Sequence, residues 1–217
     1  MRIIQLVTAA TLIILSTAGL ASQDNWFVRP YVGLSHMSDP DADYSGIDNM
    51  SGDADVDLDT GFTAGVGLGY HYTDNVAVEV GWEYRSNDSE VTLDDGAKYD
   101  DGNYASNIFY LNGHYLFDKS GKWQPYIGAG LTWAEEIDID LESGPGEDYS
   151  YSSDGDIGYQ VFAGLNYDLN PDWRLQTELR YGRIDDIDLD GESGDPGEIE
   201  DIDYETTTLQ VGLVYAF

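Results

Sequence analysis

Trp123-Gln124-Pro125-Tyr126-Ile127-Gly128-Ala129-Gly130-Leu131-Thr132-Trp133 separates cleanly by parity. Side chains of an extended strand alternate between its two faces, so the odd positions form one stripe of Trp, Pro, Ile, Ala, Leu and Trp. The even positions form the other, of Gln, Tyr, Gly, Gly and Thr. Ten rises of about 3.3 Å, tilted by about 40°, cover roughly 25 Å along the membrane normal, the height of the apolar band of a transmembrane strand. Trp123 and Trp133 then sit at its two interfaces, where aromatic residues belong.

The same separation recurs on both sides of this run. Phe62, Ala64, Val66, Leu68, Tyr70 and Tyr72 oppose Thr63, Gly65, Gly67, Gly69 and His71, and further outward sets are Val76-Val78-Val80-Trp82-Tyr84 and Trp173-Leu175-Thr177-Leu179-Tyr181. Runs beginning near Val28, Phe109 and Tyr159 follow less strictly, and Leu209-Val211-Leu213-Tyr215-Phe217 ends the chain. Three tight turns join these runs in pairs, at Thr73-Asp74-Asn75, Asp118 to Lys122 and Asn170-Pro171-Asp172. The other connections are long and acidic: of 42 acidic residues, 34 lie in 38–60, 86–105, 135–156 and 184–205, where Lys98 is the only Lys or Arg. Four long connections alternating with three short ones predict an all-β fold, an eight-stranded antiparallel up-and-down transmembrane β-barrel.

Met1-Arg2 precedes an uncharged, largely apolar run from Ile3 to Leu15, and Gly19-Leu20-Ala21 supplies small residues for cleavage. Thirteen residues are too few for a membrane helix, which needs roughly 18 or more, so residues 1–21 are expected to be a signal peptide and 22–217 the barrel domain. Its removal moves the formal charge from −33 to −34, because one Arg and no acid is lost. Such a chain repels nucleic acid, and with no cysteine it has neither disulfides nor thiolate metal sites.

A soluble eight-stranded barrel would carry its apolar face inside. Charge argues otherwise: the polar faces hold Arg29, Glu79, Glu83, Arg85, Asp168, Arg174, Glu178 and Arg180. Facing hydrocarbon, each Arg would cost about 2 to 4 kcal/mol near the midplane, so these eight residues are expected to fill the lumen as an ion-pair network. At eight strands side chains fill the interior, so an open aqueous pore is not expected.

The terminal run Leu209-Gln210-Val211-Gly212-Leu213-Val214-Tyr215-Ala216-Phe217, with Gly69 to Glu79 and Pro125 to Leu131, resembles the small eight-stranded outer-membrane barrels, including the transmembrane domain of OmpA. The resemblance covers the whole expected mature chain. It implies insertion in a Gram-negative outer membrane by assembly machinery that reads Phe217, contact with outer-membrane lipid and lipopolysaccharide, and a monomeric state. OmpA-type proteins usually continue into a peptidoglycan-binding domain, which this sequence, ending at the last strand, is expected to lack.

Asp53-Ala54-Asp55-Val56-Asp57-Leu58-Asp59, Ile137 to Glu142 and Asp186-Ile187-Asp188-Leu189-Asp190 alternate with strand period, so three strands are expected to continue above the membrane. Without a bulge, parity turns their acids inward around the barrel mouth; one bulge reverses every face. Carboxylates attract hard cations, so the expected Ca²⁺ or Mg²⁺ ligands are Asp186, Asp188, Asp190, Asp138, Asp140, Asp55 and Asp57, with no cofactor required. Asp186 to Gly191 matches the first half of an EF-hand loop, but its twelfth position is Gly197, which favours diffuse binding. Among three histidines, His36 beside Ser35, Ser38 and Asp39 is the one geometric candidate for lipid-modifying catalysis. The expected function is non-enzymatic, a structural or surface-interaction barrel with acidic outer loops; the alternative is a narrow cation-preferring channel.

Overall fold

The structure, a computed structural model, describes residues 25–38, 41–47, 50–93, 98–142, 149–192 and 195–217. The leader expected over 1–21 lies outside them. Eleven strands occur among the described residues: β1 (Trp26–Met37), β2 (Asp41–Ile47), β3 (Met50–Leu58), β4 (Gly61–Thr73), β5 (Val76–Leu93), β6 (Lys98–Leu116), β7 (Trp123–Leu141), β8 (Tyr149–Ser153), β9 (Ile157–Asp168), β10 (Trp173–Gly191) and β11 (Glu198–Ala216).

All pairings are antiparallel, and they close two stacked rings of eight. In the lower ring the order is β1, β4, β5, β6, β7, β9, β10, β11 and back to β1. In the upper ring β2, β3 and β8 replace β1, β4 and β9, so the order is β2, β3, β5, β6, β7, β8, β10, β11 and back to β2. Where the sequence predicts eight strands, three of the eight lines are broken in two. Closure at both levels leaves no open sheet edge in either ring.

The three tight turns lie at the lower end. The Thr73 hydroxyl accepts from the Val76 amide at 3.0 Å, and Asn170 Oδ1 accepts from the amides of Asp172 and Trp173 at 3.0 Å each. These are the side-chain-to-backbone bonds that make Thr and Asn effective turn residues.

Around the lower ring the parity holds. Leu68, Val80, Leu111, Ile127, Leu131, Leu179 and Leu209 point outward and are exposed in the isolated chain, whereas Arg29, Glu79, Glu83, Gln124, Glu178 and Gln210 are buried in the lumen. Aromatic pairs mark the band's margins: Trp26 with Tyr70, Trp123 with Tyr167 and Trp173 with Tyr215 below, Phe109 with Trp133 above. Lumenal glycines make room for rings from the next strand; a Cβ at Gly69 would collide with Phe27, and one at Gly164 with Tyr126.

Above Trp133 the two faces exchange character. Ile137, Ile187 and Leu189 are 0% exposed and belong to one apolar core with Val56, Leu58, Leu141, Ile199 and Tyr204. The acids between them lie on the outside: Asp53, Asp55, Asp57, Asp59, Asp188 and Asp190 are exposed, and Asp138 and Asp140 half-buried. This overturns the expected ring of inward carboxylates at the mouth.

The reversal comes from single-residue shifts. In β7 Glu135 is the extra residue, since Asn107 pairs with Glu136 but the next residue, Ile108, pairs with Ala134. In β10 Asp185 and Asp186 oppose the single residue Asp203, with Asp186 at φ 53°, a left-handed conformation that Asp tolerates better than most residues. A third shift falls between Ile187 and Leu189, where Asp188 alone opposes Glu200 and Asp201 of β11, and the β3/β4 break at Asp59-Thr60 provides a fourth. β5 needs none. Its inward face runs Glu79, Glu83, Arg85, Asn87, Ser89, Val91, Leu93, changing from charged to apolar without a change of parity. Both tiers obey one rule, apolar surface away from water: the lower tier turns it to lipid, the upper tier to its own centre.

Candidate functional site

Six of the eight charged residues expected in the lumen meet there. Arg29 donates from Nε and Nη2 to the two oxygens of Glu79 at 3.0 and 2.6 Å, and Tyr110 adds a third bond to Glu79 at 3.0 Å. Glu83 accepts from Tyr31 at 2.8 Å, from Arg85 at 2.5 Å and from Arg180 at 3.3 Å. Glu178 accepts from Arg180 at 2.7 Å, Tyr126 at 2.7 Å and Gln210 at 2.6 Å. Three guanidiniums and three carboxylates, all buried, thus form one charge-balanced layer across the barrel. The Arg180 guanidinium also lies over the Tyr110 ring, 5.3 Å from its centroid.

Sequence reasoning identified the charges but missed Tyr31, Tyr110, Tyr126 and Gln210, which donate further hydrogen bonds to the carboxylates. Their inward parity was the available signal; which level of the barrel each reaches depends on strand stagger.

Asp168 and Arg174 stand outside this layer. Asp168 pairs with Lys119 at 2.6 Å across the lower turns, and Arg174 contacts His71 Nε2 at 3.2 Å. Both lie at the strand ends, where parity still points inward but the charged layer is several residues away. Below the layer Phe27, Ala77, Leu116, Tyr126, Phe162 and Val214 pack together, with His114 against Phe162. Beneath them, at the end of the short turns, which in outer-membrane barrels is the periplasmic one, the barrel opens into a vestibule of about 600 Å³.

The outer carboxylates are arrayed on the surface rather than gathered. Asp43 stands opposite Asp53, Asp57 opposite Glu90, and Asp190 opposite Glu198. Like charges directly across a ladder repel. No group of three or more His, Cys, Asp or Glu arranged to hold a metal occurs among the described residues, so Asp55, Asp57, Asp138, Asp140, Asp186, Asp188 and Asp190 do not converge on one ion. Burial, reinforced by Asp140, Glu136 and Glu192, pushes the Asp138 carboxyl up to about 7, so protons compete with cations there near neutral pH. Arg183, at the base of this surface, is engaged by Asp185, Asp203 and Glu205. His36 is exposed and Ser35 buried on the opposite face of β1, so that pair is not brought together; Asp39 lies outside the described residues.

Known proteins share this architecture. OprG of Pseudomonas aeruginosa superposes with a TM-score of 0.63 at 17% identity, covering 91% of this chain and 98% of OprG. Neisserial surface protein A gives 0.52 at 18%, covering 88% and 97%. In sequence, the outer membrane protein AlkL of Ectopseudomonas oleovorans is 25% identical over 204 residues, 90% of this chain and 84% of AlkL. The family model of the outer membrane protein β-barrel domain matches residues 7–217. With the lipid-facing band and closed ring already in place, that match makes the chain a member of this β-barrel family, seated in the Gram-negative outer membrane.

Proposed function

We propose that the protein is a monomeric, non-enzymatic outer-membrane barrel that carries a closed, acidic, cation-attracting β-tower outside the membrane, with a structural or surface-interaction role. The exchange of faces at the bulges carries this reading. It builds a folded outer tier with its own apolar core and displays the carboxylates to the medium, where they draw a diffuse layer of Ca²⁺ or Mg²⁺ and favour basic or cation-bridged partners, including lipopolysaccharide phosphate.

The opposed carboxylates make the tower's stability sensitive to divalent ions. Millimolar Ca²⁺ is expected to slow proteolysis of the outer tier several-fold relative to Na⁺ at matched ionic strength; equal rates would reduce the acids to a passive coat. A narrow cation channel would need an axial path. The axis holds the charge-balanced layer and above it the apolar core, so planar-bilayer recordings are expected to show no discrete conductance steps. Small cation-selective steps would favour the channel.

A further inference from the structure

The barrel is closed from above and open from below, so a solute reaches its interior from the periplasm. We infer that the vestibule is a binding site for a small soluble oxyanion, a phosphate or carboxylate, held by Arg174 with His71 beside it. Asn25, His71, Thr73, Lys119, Gln124 and Arg174 contribute to its wall, and its volume of about 600 Å³ lies within the roughly 300 to 1,000 Å³ usual for small-molecule pockets.

Arg174 differs from the other inward arginines. Arg29, Arg85 and Arg180 each meet a glutamate within 3.3 Å. Among the described residues Arg174 has no carboxylate within ion-pair distance, and its side-chain contact is the neutral-capable His71. Its cross-strand neighbour Asp168 is bonded to Lys119 and attracts Arg174 only through space, beyond ion-pair distance. A partly buried guanidinium lacking a carboxylate is costly, and its planar fork of donors matches the two oxygens of a carboxylate or phosphate.

Deeper in, a pocket of about 20 Å³ lies between His71, Arg174 and His114. His114 is 7% exposed, and its buried Nε2 has no hydrogen-bond partner, Glu79 Oε2 being 4.0 Å away. Polar groups thus continue inward from the mouth, with the unpartnered Gln176 Oε1 as an acceptor among them. Asp74 and Asp118 also border the vestibule, but on exposed turns where water and salt screen them. The first tower acid on the same strand, Asp185, is eleven residues from Arg174, on the order of 28 Å along the axis at a tilt of about 40° and more than three times the Debye length of about 8 Å. The opening faces the periplasm along the barrel axis, which favours a dissolved anion over a lipid headgroup.

The test is a titration of the full chain in phosphate-free maltoside micelles with potassium phosphate and potassium acetate, against KCl at matched ionic strength. Binding is read by calorimetry and by the arginine Nε–Hε resonances. Saturable binding in the millimolar range is expected, weakened at least ten-fold by Arg174→Gln and unchanged by Arg183→Gln on the outer surface. Heat-dependent gel mobility reports folding; should Arg174→Gln misfold, Arg174→Lys is expected to weaken binding several-fold while retaining it. Three results would overturn the assignment: no saturable response in the parent chain, an unchanged response in a folded Arg174 variant, or an Arg174 resonance already shifted in phospholipid nanodiscs before any anion is added, which would assign the site to a headgroup.

Discussion

Deletion of Glu135 is expected to unfold the outer tier while the membrane band remains inserted. That residue is the extra one opposite Asn107 and Ile108, so removing it restores a continuous ladder with β6, puts the upper part of β7 out of register with β8 and turns the rest of β7 over. Ile137, Ile139 and Leu141, all 0 to 1% exposed, would face water, and Asp138 and Asp140 would enter the apolar core. Each apolar side chain is worth roughly 1.5 to 3 kcal/mol of burial, and each carboxylate forced inside adds a penalty of several kcal/mol, so the total exceeds what a marginally stable tier can absorb. Glu135→Ala keeps the residue count and, at an exposed position, should cost within about 0.5 kcal/mol. Amide exchange and protease cleavage above Trp133 separate the two variants; equal protection would show that the bulge does not set which face is buried.

Glu178→Ala should be strongly destabilising for a change at a single lumenal charge. It removes the shared acceptor of Arg180, Tyr126 and Gln210, and although Arg180 keeps Glu83 at 3.3 Å, its shorter bonds are lost. Breaking a buried pair by deleting one partner costs about 3 to 5 kcal/mol, because the other charge stays in a poorly solvated site. Arg174→Ala belongs to a different class: a cation with no carboxylate partner leaves no stranded charge when it goes. Lys119→Ala breaks only an exposed pair, worth about 0 to 1 kcal/mol. Denaturant midpoints in lipid vesicles should therefore fall strongly for Glu178→Ala and little for the other two. If all three moved alike, the lumenal layer would not be a network.

The contrast between Arg174 and Glu178 shows how far reading by parity reaches. Parity places both side chains inside, correctly, because the alternation of β10 is unbroken from Trp173 to Ile184. It carries no information about the stagger of neighbouring strands, so it cannot tell that Glu178 also meets Tyr126 and Gln210 while Arg174 stays at the mouth beside His71. The same limit hid Tyr31, Tyr110 and Tyr126, each of which reaches its carboxylate from a different strand.

What the residues determine alone is local and periodic: the lipid stripe from Trp123 to Trp133, the tight turns at Thr73 and Asn170, the seclusion of charge from hydrocarbon, and the outward continuation of the acidic strands. Those follow from a two-residue repeat and the cost of exposing apolar or charged groups to the wrong medium. The direction in which the acids face was decided only in three dimensions. Continuous parity turns Asp53 to Asp59, Asp138 and Asp188 inward, and they face outward because of one extra residue at Glu135, another at Asp185-Asp186 and a break at Asp59-Thr60. A bulge has no periodic signature; it forms where eight neighbouring strands together bury more apolar surface with the ladder shifted than with it continuous.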